Sequence, residues 1–351
     1  MVTLRVGIIG CGRPWRREGT TGFGMGHAHA RGYGARSDCT LVACADISRE
    51  NAEAFIREHP VPRYYLDYRE MLEREKLDLV SICTWTPLHA EMVIAAAEAG
   101  VKAIHCEKPM APTFGEAKRM VEVCEARGVQ LTFNHQRRFG GPFRRARELA
   151  HDGTIGQLVR LEGACPNLFD WGTHWFDMFF FYNRETPAEW VMGQIDVREE
   201  RKVFGVPVET QGLSYIRWQN GVEGLLVTGH QADIGCANRL IGTEGVIEVG
   251  VKEGPALRVW KQGSKGWETI PLKEGLHDTD YVIRAIADLV EALKAGREPE
   301  LSAQRALQAT ELIFATYESS RRRGRVDLPL DIEDSPLLAL LEAEEIGPSE
   351  K

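Results

Sequence analysis

The apolar positions of the first 135 residues form short unbroken runs, at 4–9, 40–45, 79–83, 102–106 and 130–133. Runs of that length without alternation predict strands covered on both faces. Between them, 49–58, 68–74, 89–99 and 114–127 carry helix-like patterns, and Gly100 and Gly128 stand where helix C-caps belong. Strand and helix alternating at this interval predict βαβ units, hence a parallel sheet with helices on both faces.

After Phe139 the rhythm changes. One helix is expected at 142–151, followed by strand-like runs at 157–162, 190–197, 212–218, 223–230, 237–241, 246–249, 256–260 and 267–270. Turn pairs such as Asn220-Gly221 and Glu244-Gly245 separate several of them, which predicts a mainly antiparallel sheet. Helices at 277–295 and 303–322 close this part, and a Leu-rich piece at 337–341 lies in an acidic tail. The expected organisation is an α/β chain: a doubly wound parallel-sheet domain over 1–137, an α+β domain over 138–330, and a tail over 331–351.

With 43% hydrophobic and 27% charged residues, the 351-residue chain has the composition of a globular protein with a real core. A net charge of -8 argues against a nucleic-acid partner. No apolar stretch reaches membrane-helix length, and the N-terminus lacks the pattern of a signal peptide. Arg16-Arg17 follows the first strand and so is not a twin-arginine export signal. The eight cysteines (11, 39, 44, 83, 106, 124, 165 and 236) include no Cys-x-x-Cys, and most sit in apolar runs. They read as reduced, buried thiols and point to a cytoplasmic protein.

The first strand runs into Gly10-Cys11-Gly12, but Trp15 stands where a third glycine is due. Removing the eleven residues 14–24 restores Gly-x-Gly-x-x-Gly with glycines 10, 12 and 26. Such glycines give a tight turn, a close approach of backbone to pyrophosphate, and helix–strand contact. Cys11 and Arg13 are assigned to the cofactor with that turn. Asp46 ends the second strand 20 residues beyond Gly26, where an acid accepts hydrogen bonds from the adenosine ribose. Asp there favours NAD and repels the additional phosphate of NADP; the plain alternative is that it caps the next helix. The insert, with Arg16 and Arg17, either folds over the cofactor or substrate or is a solvated loop.

Ligands of a doubly wound sheet bind at the carboxyl ends of its strands. That edge should hold Thr84, Thr86 and His89 in Thr84-Trp-Thr-Pro-Leu-His89, then Glu107-Lys108-Pro109, then Asn134-His-Gln136-Arg137-Arg138. A strand ending on two opposite charges and a proline aims a lysine at something or makes a surface salt pair. Proline also permits a cis bond there. Further on, Asp170-Trp-Gly-Thr-His174 leads into an aromatic helix. If the helix starts near Asp170, the acid and His174 share a face, and an acid beside an imidazole sets its tautomer and raises its basicity. Asp177, one turn on, is a second candidate partner for that ring. The alternative is a capped helix with a satisfied core histidine. Gln136, Arg137, Trp171 and His174 are the candidate substrate contacts. His27 and His29 are two apart and do not share a helix face, and no Cys/His cluster has zinc spacing, so no metal is expected.

On Gly10-Cys-Gly12 with Gly26, Thr86-Pro-Leu-His89, Glu107-Lys-Pro109, Gln136-Arg-Arg-Phe139, Asp170-x-Gly-x-His174-x-x-Asp177 and Gly242-Thr-Glu-Gly245, the chain resembles the Gfo/Idh/MocA oxidoreductases over nearly its whole length. The resemblance implies a Rossmann domain followed by an α/β domain with an open-faced sheet that builds homodimers or homotetramers. It implies a catalytic group of Lys108, Asp170 and His174. The expected activity is reversible NAD-dependent oxidation of a secondary alcohol on a sugar, cyclitol or related polyol. Two alternatives accompany it: glycoside cleavage through transient oxidation, and a non-catalytic regulator that senses NAD or sugar. The chain departs from the family pattern in the insert at 14–24 and in Cys165-Pro-Asn-Leu-Phe169, which replaces a glycine-rich stretch.

Overall fold

A computed structural model describes residues 3–13, 24–278 and 280–348. In chain order its elements are β1 (Leu4–Ile9), α1 (Met25–Gly34), β2 (Cys39–Ala45), α2 (Arg49–Glu58), β3 (Tyr64–Tyr65), α3 (Tyr68–Arg74), β4 (Leu79–Ile82), α4 (His89–Glu98), β5 (Ala103–Cys106), α5 (Phe114–Ala126) and β6 (Gln130–Phe133). Then follow α6 (Gly141–His151), β7 (Leu158–Cys165), α7 (Thr173–Tyr182), β8 (Ala188–Asp196), β9 (Lys202–Val203), β10 (Val206–Pro207), β11 (Gln211–Trp218), β12 (Glu223–Gly229), β13 (Cys236–Gly242), β14 (Gly245–Val251), β15 (Leu257–Lys261) and β16 (Glu268–Thr269). The chain ends with α8 (Asp280–Ala295), α9 (Ala303–Arg322), β17 (Val326–Asp327) and α10 (Pro336–Glu342). These elements form two compact units, one of Met1–Pro112, Glu116–Gln136 and Thr279–Ala306, the other of Thr113–Gly115, Arg137–Asp278 and Leu307–Lys351. The insert residues 14–23, Arg16 and Arg17 among them, lie outside the described residues.

The first unit is built on a six-stranded sheet in the order β3-β2-β1-β4-β5-β6, all parallel. Its central strands are apolar at nearly every position because helices cover both faces, and β4 and β5 are buried throughout. Gly100 and Gly128 take positive φ (82° and 67°) just beyond α4 and α5, the left-handed turn that ends a helix. The helix expected at 277–295 begins at Asp280 and packs on α1 within this unit. Gly32 admits that approach: a Cβ there would sit 2.4 Å from Ile286 Cδ1. Val282, Ile286 and Leu289 of α8 thereby join Val6, Ile8 and Phe55 in the core.

The second unit is a nine-stranded sheet in the order β16-β15-β14-β13-β7-β12-β11-β8-β17, antiparallel except where β12 lies along β7. Along β11 the alternation is clean: Gly212, Ser214, Ile216 and Trp218 face inward. The opposite face leaves Val159 (42%), Met192 (50%) and Leu213 (43%) exposed. Strand β7 runs three residues past the expected end at Glu162, because Gly163 lets the Phe179 ring of α7 close onto the sheet. Helix α7 is buried along its whole length. Among the described residues no helix is long and apolar enough to cross a membrane, and all eight cysteines are free thiols.

Candidate active site

Gly10 and Gly12 take positive φ (85° and 62°) directly after β1. A Cβ on Gly10 would meet the Cys83 carbonyl carbon at 2.8 Å, and one on Gly26 would meet the Gly10 carbonyl oxygen at 2.5 Å. Both positions are therefore glycine for want of space, and the turn is a backbone cradle of the kind a pyrophosphate needs. Cys11 is fully buried beneath it, and Arg13 is exposed beyond it. Asp46 is fastened to that cradle. Its Oδ2 accepts the Gly12 N–H at 3.0 Å, while Oδ1 accepts the Ser48 N–H at 2.8 Å. The helix-cap alternative for Asp46 fails, because Ser48 caps α2 by accepting from the Asn51 N–H.

At the end of β4, Thr84 Oγ1 donates to Met92 Sδ at 3.4 Å. Thr86 Oγ1 is buried, with no hydrogen-bond partner among the described residues. The His89 ring is wholly buried and splices two segments: Nδ1 lies 2.9 Å from the Pro109 carbonyl and Nε2 3.1 Å from that of Thr84. Burial holds its pKa below the ordinary imidazole value.

Glu107 follows β5 and turns inward. Its Oε1 accepts His29 Nε2–H at 2.9 Å and Asn134 Nδ2–H at 2.7 Å. Behind it the Tyr33 hydroxyl lies 2.9 Å from Ser81 Oγ, Ser81 Oγ lies 3.0 Å from His29 Nδ1, and His29 in turn bonds Glu107. Burial pushes the Glu107 carboxyl up, but the His29 and Asn134 hydrogen bonds outweigh it and hold it below the usual range. His105, stacked on His29 at 4.8 Å, is kept neutral chiefly by burial. Lys108 is the next residue, half-buried, and the Lys108–Pro109 bond is cis. Gln136 Oε1, in the turn after β6, is buried with no partner among the described residues.

In the second unit, the expected helix start at Asp170 is displaced. Residues Leu168–Gly172 form one π-helical turn, and α7 begins at Thr173. Asn167 caps that turn, accepting the Asp170 N–H on Oδ1 at 2.7 Å and the Gly172 N–H on its carbonyl at 2.9 Å. Glu209, 0% exposed, accepts the Leu168 N–H, the Tyr317 hydroxyl at 2.8 Å and the Thr228 hydroxyl at 3.1 Å. Asp170, on that turn, and His174, in the first turn of α7, are nearly buried, and Glu209 grips the turn from beneath. Asp177 is committed elsewhere: Arg138 Nε donates to both its oxygens at 2.9 Å, and the same guanidinium reaches Glu185 at 2.6 Å.

Arg137 stacks over Trp175 at 4.5 Å and Trp171 at 5.2 Å, and Trp171 stands edge-on to His277 at 6.1 Å. Trp175 is pinned by its indole N–H to the Ala164 carbonyl at 2.9 Å. The sequence reading missed Trp175, His277, Asn167 and Glu209. Asn167 carried a detectable signal, a good cap residue three before an acid. Glu209 carried none, being one carboxylate in a short connection.

Residues 4–135 match the Gfo/Idh/MocA family, described as an oxidoreductase family with an NAD-binding Rossmann fold. Over 344 residues the chain is 26% identical to myo-inositol 2-dehydrogenase of Thermotoga maritima, covering 93% of this chain and 98% of the relative. Over 348 residues it is 26% identical to scyllo-inositol 2-dehydrogenase (NAD(+)) of Bacillus subtilis, covering 93% and 96%. The fold is shared with levoglucosan dehydrogenase solved with NADH and L-sorbose: TM-score 0.80 at 23% identity, covering 94% of this chain and 100% of that one. A glycine cradle with its tethered acid, in a parallel sheet of this order, agrees with those likenesses. Residues 4–135 carry the NAD-binding Rossmann domain of the Gfo/Idh/MocA oxidoreductases, and the whole chain is similar to sugar and inositol dehydrogenases.

Proposed function

We propose that the protein is an NAD-dependent dehydrogenase acting on a secondary alcohol of a sugar, cyclitol or related polyol. The observation that carries the reading is Asp46 anchored by the Gly12 N–H, which sets a carboxylate beside the phosphate cradle where a ribose is recognised and a 2′-phosphate repelled. Glycines 10, 12 and 26 admit the pyrophosphate, with Cys11 and Arg13 in the same turn. Thr84 and the unpartnered Thr86 hydroxyl follow on the same sheet edge. NAD, when bound, supplies the two-electron acceptor for the carbon being oxidised.

The chain's own residues do the rest. His174 takes the hydroxyl proton, with Asp170 orienting the ring and stabilising its charged form. Lys108 stabilises negative charge developing on the substrate oxygen. Gln136, Arg137 and Trp171 contact the substrate, Trp171 offering an aromatic face to a sugar ring. Reduced thiols support a cytoplasmic location, and the exposed apolar strand face around Met192 and Leu213 supports assembly into homodimers or homotetramers.

NADH absorbance across a polyol panel tests the reading. Lys108→Ala and His174→Ala should each lower kcat by at least about a hundredfold. Wild-type turnover in both would remove these residues from the chemistry.

A further inference from the structure

We propose a divalent transition-metal site, of zinc type, formed by His27, Glu58 and His59. Among the described residues these are the only three His, Cys, Asp or Glu side chains whose ligand atoms all lie within 4.8 Å of one another. The placement follows from the sequence. His59 precedes Pro60, which drives it out of helical geometry (φ -120°, ψ 148°) and ends α2. His27 sits in the first turn of α1, and Phe55, fully buried, wedges both rings at 4.8 Å and 4.7 Å.

The two imidazoles present ring nitrogens to each other: His27 Nδ1 lies 2.9 Å from His59 Nε2. The Glu58 carboxylate lies 3.4 Å from the first and 4.0 Å from the second. A tetrahedral zinc with bonds of about 2.0–2.1 Å spaces its donors about 3.3 Å apart, close to the 2.9 Å between the two rings and the 3.4 Å between His27 Nδ1 and Glu58 Oε2. Two nitrogens and one oxygen suit Zn²⁺ and exclude the hard, all-oxygen cations. Glu58, 38% exposed, provides the entry path and swings to complete the set, with water as the fourth ligand. The metal would clamp the end of α2 to the start of α1, beside Gly26.

The test uses the full chain, stripped with chelator and dialysed against micromolar Zn²⁺, with metal content measured per chain. One zinc is expected in wild type. His59→Gln and Glu58→Ala should each weaken binding by at least about tenfold, and zinc should raise the melting temperature of wild type but not of His59→Gln. The exposed His230→Gln control should bind as wild type. Equal uptake by wild type and His59→Gln, or no uptake by wild type, overturns the site and leaves a single hydrogen bond between the two rings. If His27→Gln fails to fold, the two other variants carry the result. Dehydrogenase activity does not enter these readouts, so failure here leaves the proposed function untouched.

Discussion

His29 Nε2 stands 2.9 Å from Glu107 Oε1, joining the first helix to the residue before Lys108 with side-chain exposures of only 0% and 9%. Such a carboxylate is stable only while its donors remain. His29→Ala leaves Asn134 as the remaining donor from this pair and should cost about 1.5–3 kcal/mol in denaturant unfolding. The Glu107 pKa is lowered in the folded state, so its contribution is fully present above the ordinary Glu range and fades as pH falls through the depressed value. Stability of His29→Ala should therefore converge toward wild type in acid. Equal loss at acid and neutral pH would deny that the His29 hydrogen bond holds the carboxylate.

Asp46 governs the choice of cofactor. Its two oxygens are oriented by the Gly12 and Ser48 N–H groups rather than left mobile. A hydrogen bond to a charged group contributes about 1.5–3 kcal/mol, so Asp46→Ala should raise KM for NAD by roughly tenfold to a hundredfold. Use of NADP should rise relative to NAD, since the repelling charge is gone. An unchanged NAD/NADP ratio in steady-state kinetics would contradict the role.

How much of this was legible in the chain depends on the distance over which each feature acts. Parallel strands buried on both faces announce themselves as apolar runs, and the strand ends then place Gly10, Asp46, Thr84 and Lys108 by counting. Strand β3, two residues at the sheet edge, is too short for any period. The apolar stripe of α8 says that it is buried, not that Ile286 fits the missing side chain of Gly32 more than two hundred residues earlier. The start of α7 was misplaced because a π turn and an α turn have the same composition. The domain expected over 138–330 likewise offered no signal that α8 packs in the first unit.

Asp177 shows the same limit from the other side. Its spacing from His174 suggested a catalytic partner, whereas Arg138, 0% exposed, holds both its oxygens. Asp177→Ala removes the buried carboxylate that pairs with that guanidinium and should destabilise the fold by about 3–5 kcal/mol. Activity per folded molecule, measured well below the melting temperature, should stay within about tenfold, less than the loss expected for a missing general-base partner. A stable Asp177→Ala with hundredfold lower kcat would make the residue a partner of His174 after all.

Glu209 gives the fold a pH-dependence opposite to that of Glu107. It is fully buried, and burial raises its pKa from 4.5 to about 6 despite the Leu168, Tyr317 and Thr228 hydrogen bonds. A raised folded-state pKa stabilises fully below the unfolded value and loses that contribution as pH climbs through the folded one. Wild-type stability should therefore fall by about 2 kcal/mol between roughly pH 4.5 and 6.5 from this residue, at 1.36 kcal/mol per unit. Glu209→Gln, which keeps an oxygen for the Leu168 N–H but cannot ionise, should lack that component. Urea midpoints for both proteins across the window measure it as their difference. The same carboxylate holds the turn that bears Asp170, so Glu209→Ala should lower kcat more than Glu209→Gln does. Parallel stability curves for wild type and Glu209→Gln would mean that the carboxyl does not titrate there.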